Sequence, residues 1–138
     1  MKTSAFWNCF HDGTIEALIG KVPGQVEARV SIDYLRRRFA GPGDSFLLTL
    51  CGCEQFTYQP YDEEELTDLS DIAKLEPMVL SVETHEPLVI NCVMGRLRLA
   101  YEGCRISTDA GEEVSSDQLR QASRDYWRDW SEKYGVNT

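Results

Sequence analysis

The segment from Ser45 to Tyr58 constrains the fold more than any other part of the chain, because it is the longest apolar run of β-type residues. In an extended chain successive side chains point to opposite faces, and both faces of this segment are mostly apolar. One face carries Phe46, Leu48 and Leu50, and the other carries Leu47, Thr49 and Cys51. The pattern predicts a strand at the centre of a sheet, covered on both sides.

Other segments alternate between apolar and polar residues, as strands do when one face of an antiparallel sheet is open to solvent. The clearest runs from Gln25 to Leu35, and the turn Pro23-Gly24 joins it to a strand over Thr14 to Val22. The short connection predicts a hairpin. Later strands are predicted over Met78 to Val82, Leu88 to Met94, Arg96 to Tyr101 and Cys104 to Thr108.

Two helical stretches are predicted before the last strands. Trp7 and Phe10, three residues apart, suit one short helical turn that caps the core. Asp62 and Glu65 have capping-box spacing and open a predicted helix of about three turns that stops before Pro77. Its apolar residues recur at helical intervals: Leu66, Leu69, Ile72 and Leu75.

The C-terminal segment has the strongest helix signals in the chain. Ser115 and Gln118 form a capping box, and Gly135 is a typical stop. The predicted helix has about five turns and docks on the core through one stripe. That stripe consists of Leu119, Ala122, Tyr126, Trp130 and either Lys133 or Tyr134.

The 138 residues are enough for one core, so residues 1–138 are predicted to form a single domain. The fold class is α+β, with an antiparallel sheet of about six or seven strands, one internal helix and one C-terminal helix. Five cysteines are an odd number and lie in apolar strand patterns, which is typical of buried free thiols. No secretory leader and no membrane span is recognised, so the sequence predicts a soluble protein of the reducing cytoplasm.

Acidic residues are concentrated in one window of the chain. The net charge is −9, and the window from Pro60 to Pro87 holds nine acids and one base, Lys74. A surface of this charge repels nucleic acid and anionic membranes, and it attracts a basic partner over long range. The alternative is a solvated face that only keeps the protein soluble.

Residues suited to catalysis are few. The two histidines are His11, beside Asp12 in a turn, and His85, in an acidic turn. His11 can serve an enzyme as a base or can cap the hairpin by bonding the backbone. No phosphate loop, nucleophile elbow or metal-ligand spacing is present, so the sequence predicts no metal and no cofactor. We treat His11 and Asp12 as a candidate functional turn and enzyme activity as the weaker hypothesis.

Binding is the better prediction, in one of two forms. The sheet and helices can enclose a small-molecule cavity, or the acidic segment can join exposed aromatic residues in a protein interface. The aromatic candidates are Tyr58, Tyr61, Trp127 and Tyr134. Oligomeric state stays open, since an edge strand can pair two copies.

The sequence Phe10-His11-Asp12-Gly13-Thr14-Ile15, with the later Leu-Thr-Leu-Cys-Gly-Cys run, resembles small uncharacterised bacterial α+β proteins. Some of these are similar to immunity proteins of polymorphic toxin systems. The resemblance implies a cytoplasmic protein without activity of its own that binds and blocks a toxin, commonly a basic nuclease. From the acidic window we predict a partner-binding site made of Tyr61, Glu63, Glu64, Glu65, Asp68 and Asp71.

Overall fold

The computed structural model describes residues 4–135 and contains two antiparallel sheets and three α-helices. A 3₁₀ turn, Trp7–Phe10, precedes the first strand. Sheet A has the order β1-β2-β3-β8-β9 and sheet B the order β4-β7-β6-β5. The strands are β1 Thr14–Gly20, β2 Gly24–Ser31, β3 Ser45–Cys53, β4 Gln55–Pro60, β5 Val79–His85, β6 Leu88–Cys92, β7 Gly95–Ala100, β8 Gly103–Thr108 and β9 Glu113–Val114, and the helices are α1 Asp33–Arg36, α2 Leu69–Lys74 and α3 Ser116–Tyr134.

The predicted α+β class is confirmed, but the single sheet of six or seven strands and the single internal helix are wrong. The described residues form two sheets, and the short α1 lies where the strand from Gln25 to Leu35 was predicted to continue. The segment predicted as one long strand is divided between the two sheets, with β3 in sheet A and β4 in sheet B. The chain changes direction where Gly52 takes a left-handed conformation (φ 60) and Glu54 leaves the strand geometry. A glycine adopts that conformation without steric cost, which allows the chain to leave one sheet and enter the other.

The position of β3 in the middle of sheet A confirms the predicted central strand. Its expected cover on both faces is wrong. The inner face is buried, with Phe46, Leu48 and Leu50 fully inaccessible. The outer-facing Leu47 and Thr49 are only half-buried, because they lie in register with the solvated Arg29 and Glu27 of β2.

One core lies between the inner faces of the two sheets, and the predicted N-terminal turn caps it as expected. Phe6, Trp7 and Phe10 are buried and pack on one another, with ring centroids 5.3 to 5.8 Å apart. Sheet B contributes Phe56, Tyr58, Ile90 and Leu97 among others. Aromatic contacts of this kind add to the free energy gained from apolar burial.

The internal helix is shorter than predicted, because its first half is bonded to a strand instead. Leu66 exchanges backbone hydrogen bonds with Tyr58 of β4, so the chain before α2 is extended. The cap is Asp68 rather than Asp62, and its carboxylate accepts from the N–H groups of Ser70 and Asp71 at 2.8 and 3.2 Å. These local bonds lower the pKa of Asp68, with the Ser70 hydroxyl contributing most.

The C-terminal helix has the predicted ends but not the predicted burial. Ser115 and Gln118 form both bonds of the capping box, and Gly135 ends the helix at φ 67. Of the aromatic stripe, Trp130 is 37% and Tyr134 is 60% exposed. The stripe reaches the body at the buried Leu119 and at Tyr126, whose ring centroid lies 4.3 Å from that of Tyr34, whereas the rings of Trp130 and Tyr134 contact aromatic residues of α3 itself.

A buried ion pair joins α1 to the end of β8. The Nε atom of Arg36 donates to Oδ1 of Asp109 at 2.8 Å, and the two side chains are 1% and 7% exposed. The remaining guanidinium nitrogens donate to carbonyl oxygens of the loop that follows α1, at Phe39, Ala40 and Pro42. All three nitrogens of this buried cation are therefore satisfied.

The Asp109 carboxylate also receives hydrogen bonds from the start of the central strand. The main-chain N–H groups of Asp44 and Ser45 donate to its Oδ2 at 3.0 and 3.1 Å. Burial by itself would raise the pKa of Asp109, but the bonds from Arg36 and from these two N–H groups outweigh it and hold the pKa below its ordinary value. The pair thus fixes the loop between α1 and β3.

We predict that Asp109→Asn lowers the free energy of unfolding by about 3 to 5 kcal/mol, because it leaves the buried Arg36 charge without a counter-ion. Since folding lowers the Asp109 pKa, this stabilisation is present above the pKa of an unfolded Asp, about 4, and is lost as the pH falls further. Urea unfolding at neutral and at acid pH measures both effects.

Asp33→Asn is the matched control. Asp33 pairs with Arg37 at 2.8 Å on the surface of α1, where the two side chains are 56% and 76% exposed. The loss of such a pair costs less than about 0.5 kcal/mol. Equal losses in the two variants would contradict the role given to Asp109.

Candidate protein-binding surface

The acidic segment lies along the β4 edge of sheet B. Strand β4 is an edge strand, paired on one side with β7 only. On the other side the N–H of Tyr58 donates to the Leu66 carbonyl at 3.0 Å, and the N–H of Leu66 donates to the Tyr58 carbonyl at 2.8 Å. We call residues 61–68 the acidic loop. It covers an edge that would otherwise be open to another chain.

Side chains of β4 hold the acidic loop in place. The Thr57 hydroxyl donates to the Glu65 carboxylate at 3.1 Å, and the Gln59 amide donates to the main-chain oxygen of Glu63. The loop begins with a turn in which Asp62 is left-handed (φ 64). The carboxylates are therefore presented by a loop with defined bonds to the sheet.

All six predicted partner-binding residues are exposed, and Tyr61 is 51% exposed. Some of them also have structural roles: Glu65 is bonded to Thr57, Asp68 caps α2, and Asp71 lies 3.9 Å from Lys74. Within residues 4–135, Glu63 and Glu64 have no ion pair at 4 Å or less. Their charges are the ones most available to a partner.

Exposed apolar side chains lie on one side of the acidic loop, and the sequence pattern did not predict most of them. At one end of sheet B the end of β4, the β6–β7 turn and the start of β5 lie side by side. The N–H of Tyr61 donates to Met94 O at 3.0 Å, and the N–H of Val93 donates to Met78 O at 3.1 Å. The exposed fractions are 51% for Tyr61, 52% for Leu75, 38% for Met78, 46% for Val93 and 68% for Met94. These five residues are called the apolar end of sheet B.

A groove connects the acidic loop to α2. It has a volume of about 550 Å³ and is open to solvent, with Pro60, Leu66 and Leu75 as its apolar walls. Glu63, Glu64 and Asp71 also line it. Apolar surface with a polar rim is typical of protein-binding sites, because burial at the centre supplies affinity and the rim supplies specificity.

The other aromatic candidates are divided between core and surface. Tyr58 is 2% exposed, and burial raises its pKa to about 12, so it is a core residue. Trp127 is 37% exposed and stacks edge-on against Tyr34, with centroids 5.7 Å apart. Tyr134 is exposed at the end of α3, where its ring contacts that of Trp130 and not the acidic loop.

The candidate turn at His11 and Asp12 supports the other edge of sheet B. The Nδ1 atom of His11 donates to the Leu80 carbonyl of β5 at 2.8 Å, and its Nε2 atom lies 3.4 Å from the Asp12 carboxylate. The Asn8 side chain accepts from the Val82 N–H at 2.9 Å, and the Asp12 N–H donates to the Val79 carbonyl at 2.8 Å. These bonds occupy groups that an edge strand leaves unpaired.

The second histidine lines a small cavity. The Ser4 hydroxyl lies 3.0 Å from His85 Nδ1, and the cavity beside them has a volume of about 170 Å³. Leu88, Leu99 and Tyr101 provide its apolar walls. No group of three or more His, Cys, Asp or Glu side chains among the described residues is arranged to hold a metal ion.

All five cysteines are free thiols, as the sequence suggested. Cys9, Cys53 and Cys92 are buried, and Cys51 and Cys104 are half-buried. Burial raises the pKa of each of Cys9, Cys53, Cys92 and Cys104, to about 12 for Cys92 and Cys104. A raised thiol pKa lowers the thiolate fraction and hence the reactivity.

Comparisons with known proteins give no match: no family model fits the chain, and neither a curated protein nor a solved structure is significantly similar to it. Within residues 4–135, no helix combines the length and apolar character needed to cross a membrane.

We predict that His11→Ala lowers the free energy of unfolding by about 1 kcal/mol, because the Leu80 carbonyl loses its hydrogen-bond donor. Asp12→Asn is the control and should leave stability nearly unchanged, since Asn also tolerates the left-handed backbone found there (φ 70). Urea unfolding of both variants gives the comparison. If the His11→Ala protein were as stable as the wild type, the stabilising role given to His11 would be wrong, and a functional role would be favoured instead.

Proposed function

We propose that this chain is a non-enzymatic protein-binding module whose partner is a basic protein. The observation that carries the proposal is the contact between an acidic loop with unpaired carboxylates and an exposed apolar end of a sheet. Glu63 and Glu64 supply charge, and Tyr61 and Met94 supply apolar area beside them. A partner with lysine and arginine around an apolar centre fits this arrangement.

The charge distribution supports a basic partner rather than an acidic one. The window from Pro60 to Pro87 carries nine of the 23 acids and one of the 14 bases. Exposed charges of one sign accelerate encounter with a protein of opposite sign, and the effect weakens with salt because the screening length at physiological ionic strength is about 8 Å. An acidic surface can occupy the groove in which a nuclease binds phosphates.

Within this proposal, the resemblance to immunity proteins of polymorphic toxin systems indicates that the basic partner is a toxin. The chain would then be a cytoplasmic bacterial protein that neutralises a basic toxin by covering its active groove. The His-Asp-Gly opening that carries the resemblance lies at the edge of β5, where His11 bonds Leu80. It is therefore assigned a role in stability and not in toxin binding.

A small-molecule-binding protein is the second candidate, favoured by the cavity beside His85. Its volume of about 170 Å³ is smaller than the range of about 300 to 1,000 Å³ in which drug-sized ligands bind. An enzyme that uses His11 has less support, because Nδ1 is bonded to Leu80 and Nε2 faces Asp12. The protein-binding function accounts for more of the exposed surface than either alternative.

We predict that the triple substitution Glu63→Gln, Glu64→Gln and Asp71→Asn weakens binding of the partner by about tenfold at low salt, because three contacts of about 0.5 kcal/mol each are lost. The partner is first captured from the native cell lysate with the wild-type chain as bait and then titrated against both proteins. The difference between wild type and variant should shrink as salt is raised.

The control is Glu27→Gln, Glu112→Gln and Glu132→Gln, which removes the same charge from exposed acids outside the acidic loop. If the two triple variants bind equally well, net charge alone attracts the partner. That result would reject the acidic loop and the adjoining groove as the binding site.

A further inference from the structure

The apolar end of sheet B exposes large apolar side chains that binding by charge alone would not require. Met94 is 68% exposed and Leu75 is 52% exposed, although Cys92, two residues before Met94, and Ile72, three residues before Leu75, are buried. They are grouped with Tyr61, Met78 and Val93 because the end of β4, the β6–β7 turn and the start of β5 meet there, and because Leu75 lines a groove with Pro60 at the end of β4. Grouped apolar side chains of this kind mark a docking site, whereas single ones do not.

Strand addition is blocked at this end of the sheet, which limits what can dock. On β4 the edge groups of Tyr58 are bonded to Leu66, and Pro60 has no N–H to donate. On β5 the N–H and C=O of Val79 are bonded to the Gly13 carbonyl and the Asp12 N–H. A partner therefore has to bind by side-chain contacts and not by extending sheet B.

A helix fits this requirement. The groove between the acidic loop and α2 has apolar walls, formed by Pro60, Leu66 and Leu75, and a rim formed by Glu63, Glu64 and Asp71. A helix whose apolar stripe lies in such a groove places the flanking side chains of the same helix over the rim. Since this rim holds three carboxylates and one base, Lys74, the flanking side chains have to be basic.

We propose that the apolar end of sheet B and the adjoining groove bind an amphipathic basic helix. The apolar side chains of the helix contact Leu75, Met94 and Tyr61, and its lysine and arginine side chains pair with Glu63 and Glu64. This inference rests on the proposed function and adds the form in which the basic partner is recognised.

The test uses a fluorescent peptide of about five helical turns with leucine on one face and lysine on the other. A scrambled peptide of identical composition serves as the comparison probe. Fluorescence anisotropy should show the amphipathic peptide binding at least tenfold more tightly than the scrambled one, since burial of one or more apolar side chains is lost in the scrambled form. Leu75→Ser and Met94→Ser should each weaken the amphipathic peptide by about tenfold.

Ile19→Ser is the matched control. Ile19 is 67% exposed but lies five residues along β1 from Thr14, the residue that bridges to Met78. This substitution should leave the affinity unchanged. All three substitutions are also checked by urea unfolding, so that a loss of affinity is not mistaken for a loss of fold.

Three results would overturn the inference: no binding of the amphipathic peptide, equal binding of the two peptides, or unchanged affinity in Leu75→Ser and Met94→Ser. The proposed function is tested separately, by the captured partner and the acid variants. If those variants lose the partner while the peptide results are negative, the acidic loop binds a basic protein without a helix in the groove. If they keep the partner, the proposed function fails as well.

Discussion

The burial of one continuous segment, β3 followed by β4, holds the two sheets together. Phe46, Leu48 and Leu50 face the core from sheet A, and Phe56 faces it from sheet B, each 1% exposed or less. Burial of a side chain of this size contributes about 1.5 to 3 kcal/mol. Because the same segment belongs to both sheets, they cannot separate without returning these residues to water. The Arg36–Asp109 pair then fixes where the segment begins.

The acidic surface depends on how this fold covers the edges of sheet B. The bonds between Tyr58 and Leu66 hold the acidic loop against β4, and those from His11 and Asp12 hold the N-terminal turn against β5. Edges that are already paired do not recruit further strands. What stays accessible at the end of the sheet is a set of side chains, apolar at Met94 and charged at Glu63. Under the proposed function, recognition of the partner through side chains is thus a consequence of edge protection.

Local signals in the sequence predicted the elements that depend on neighbouring residues. The capping box at Ser115 and the hairpin of β1 and β2 are of this kind, and both were confirmed. Long-range contacts decided the remainder. The bridge between Tyr58 and Leu66 makes half of the predicted helix an extended loop, and the periodicity of apolar residues does not predict this bridge. The charged sequence around Tyr61 predicted that its side chain is exposed. The exposure of Met94 was not predicted, although its position in a tight turn before Gly95 was a signal for it.

Hydrogen–deuterium exchange of the chain with and without its captured partner shows whether the acidic loop and the apolar end of sheet B form the binding surface. It reports which backbone segments lose access to water on binding, without any substitution. Binding at this surface should slow exchange in residues 60–66 and 93–94 and leave exchange in residues 126–134 of α3 little changed. Protection confined to residues 126–134, with residues 60–66 unchanged, would place the interface on α3 and reject the acidic loop as the binding surface.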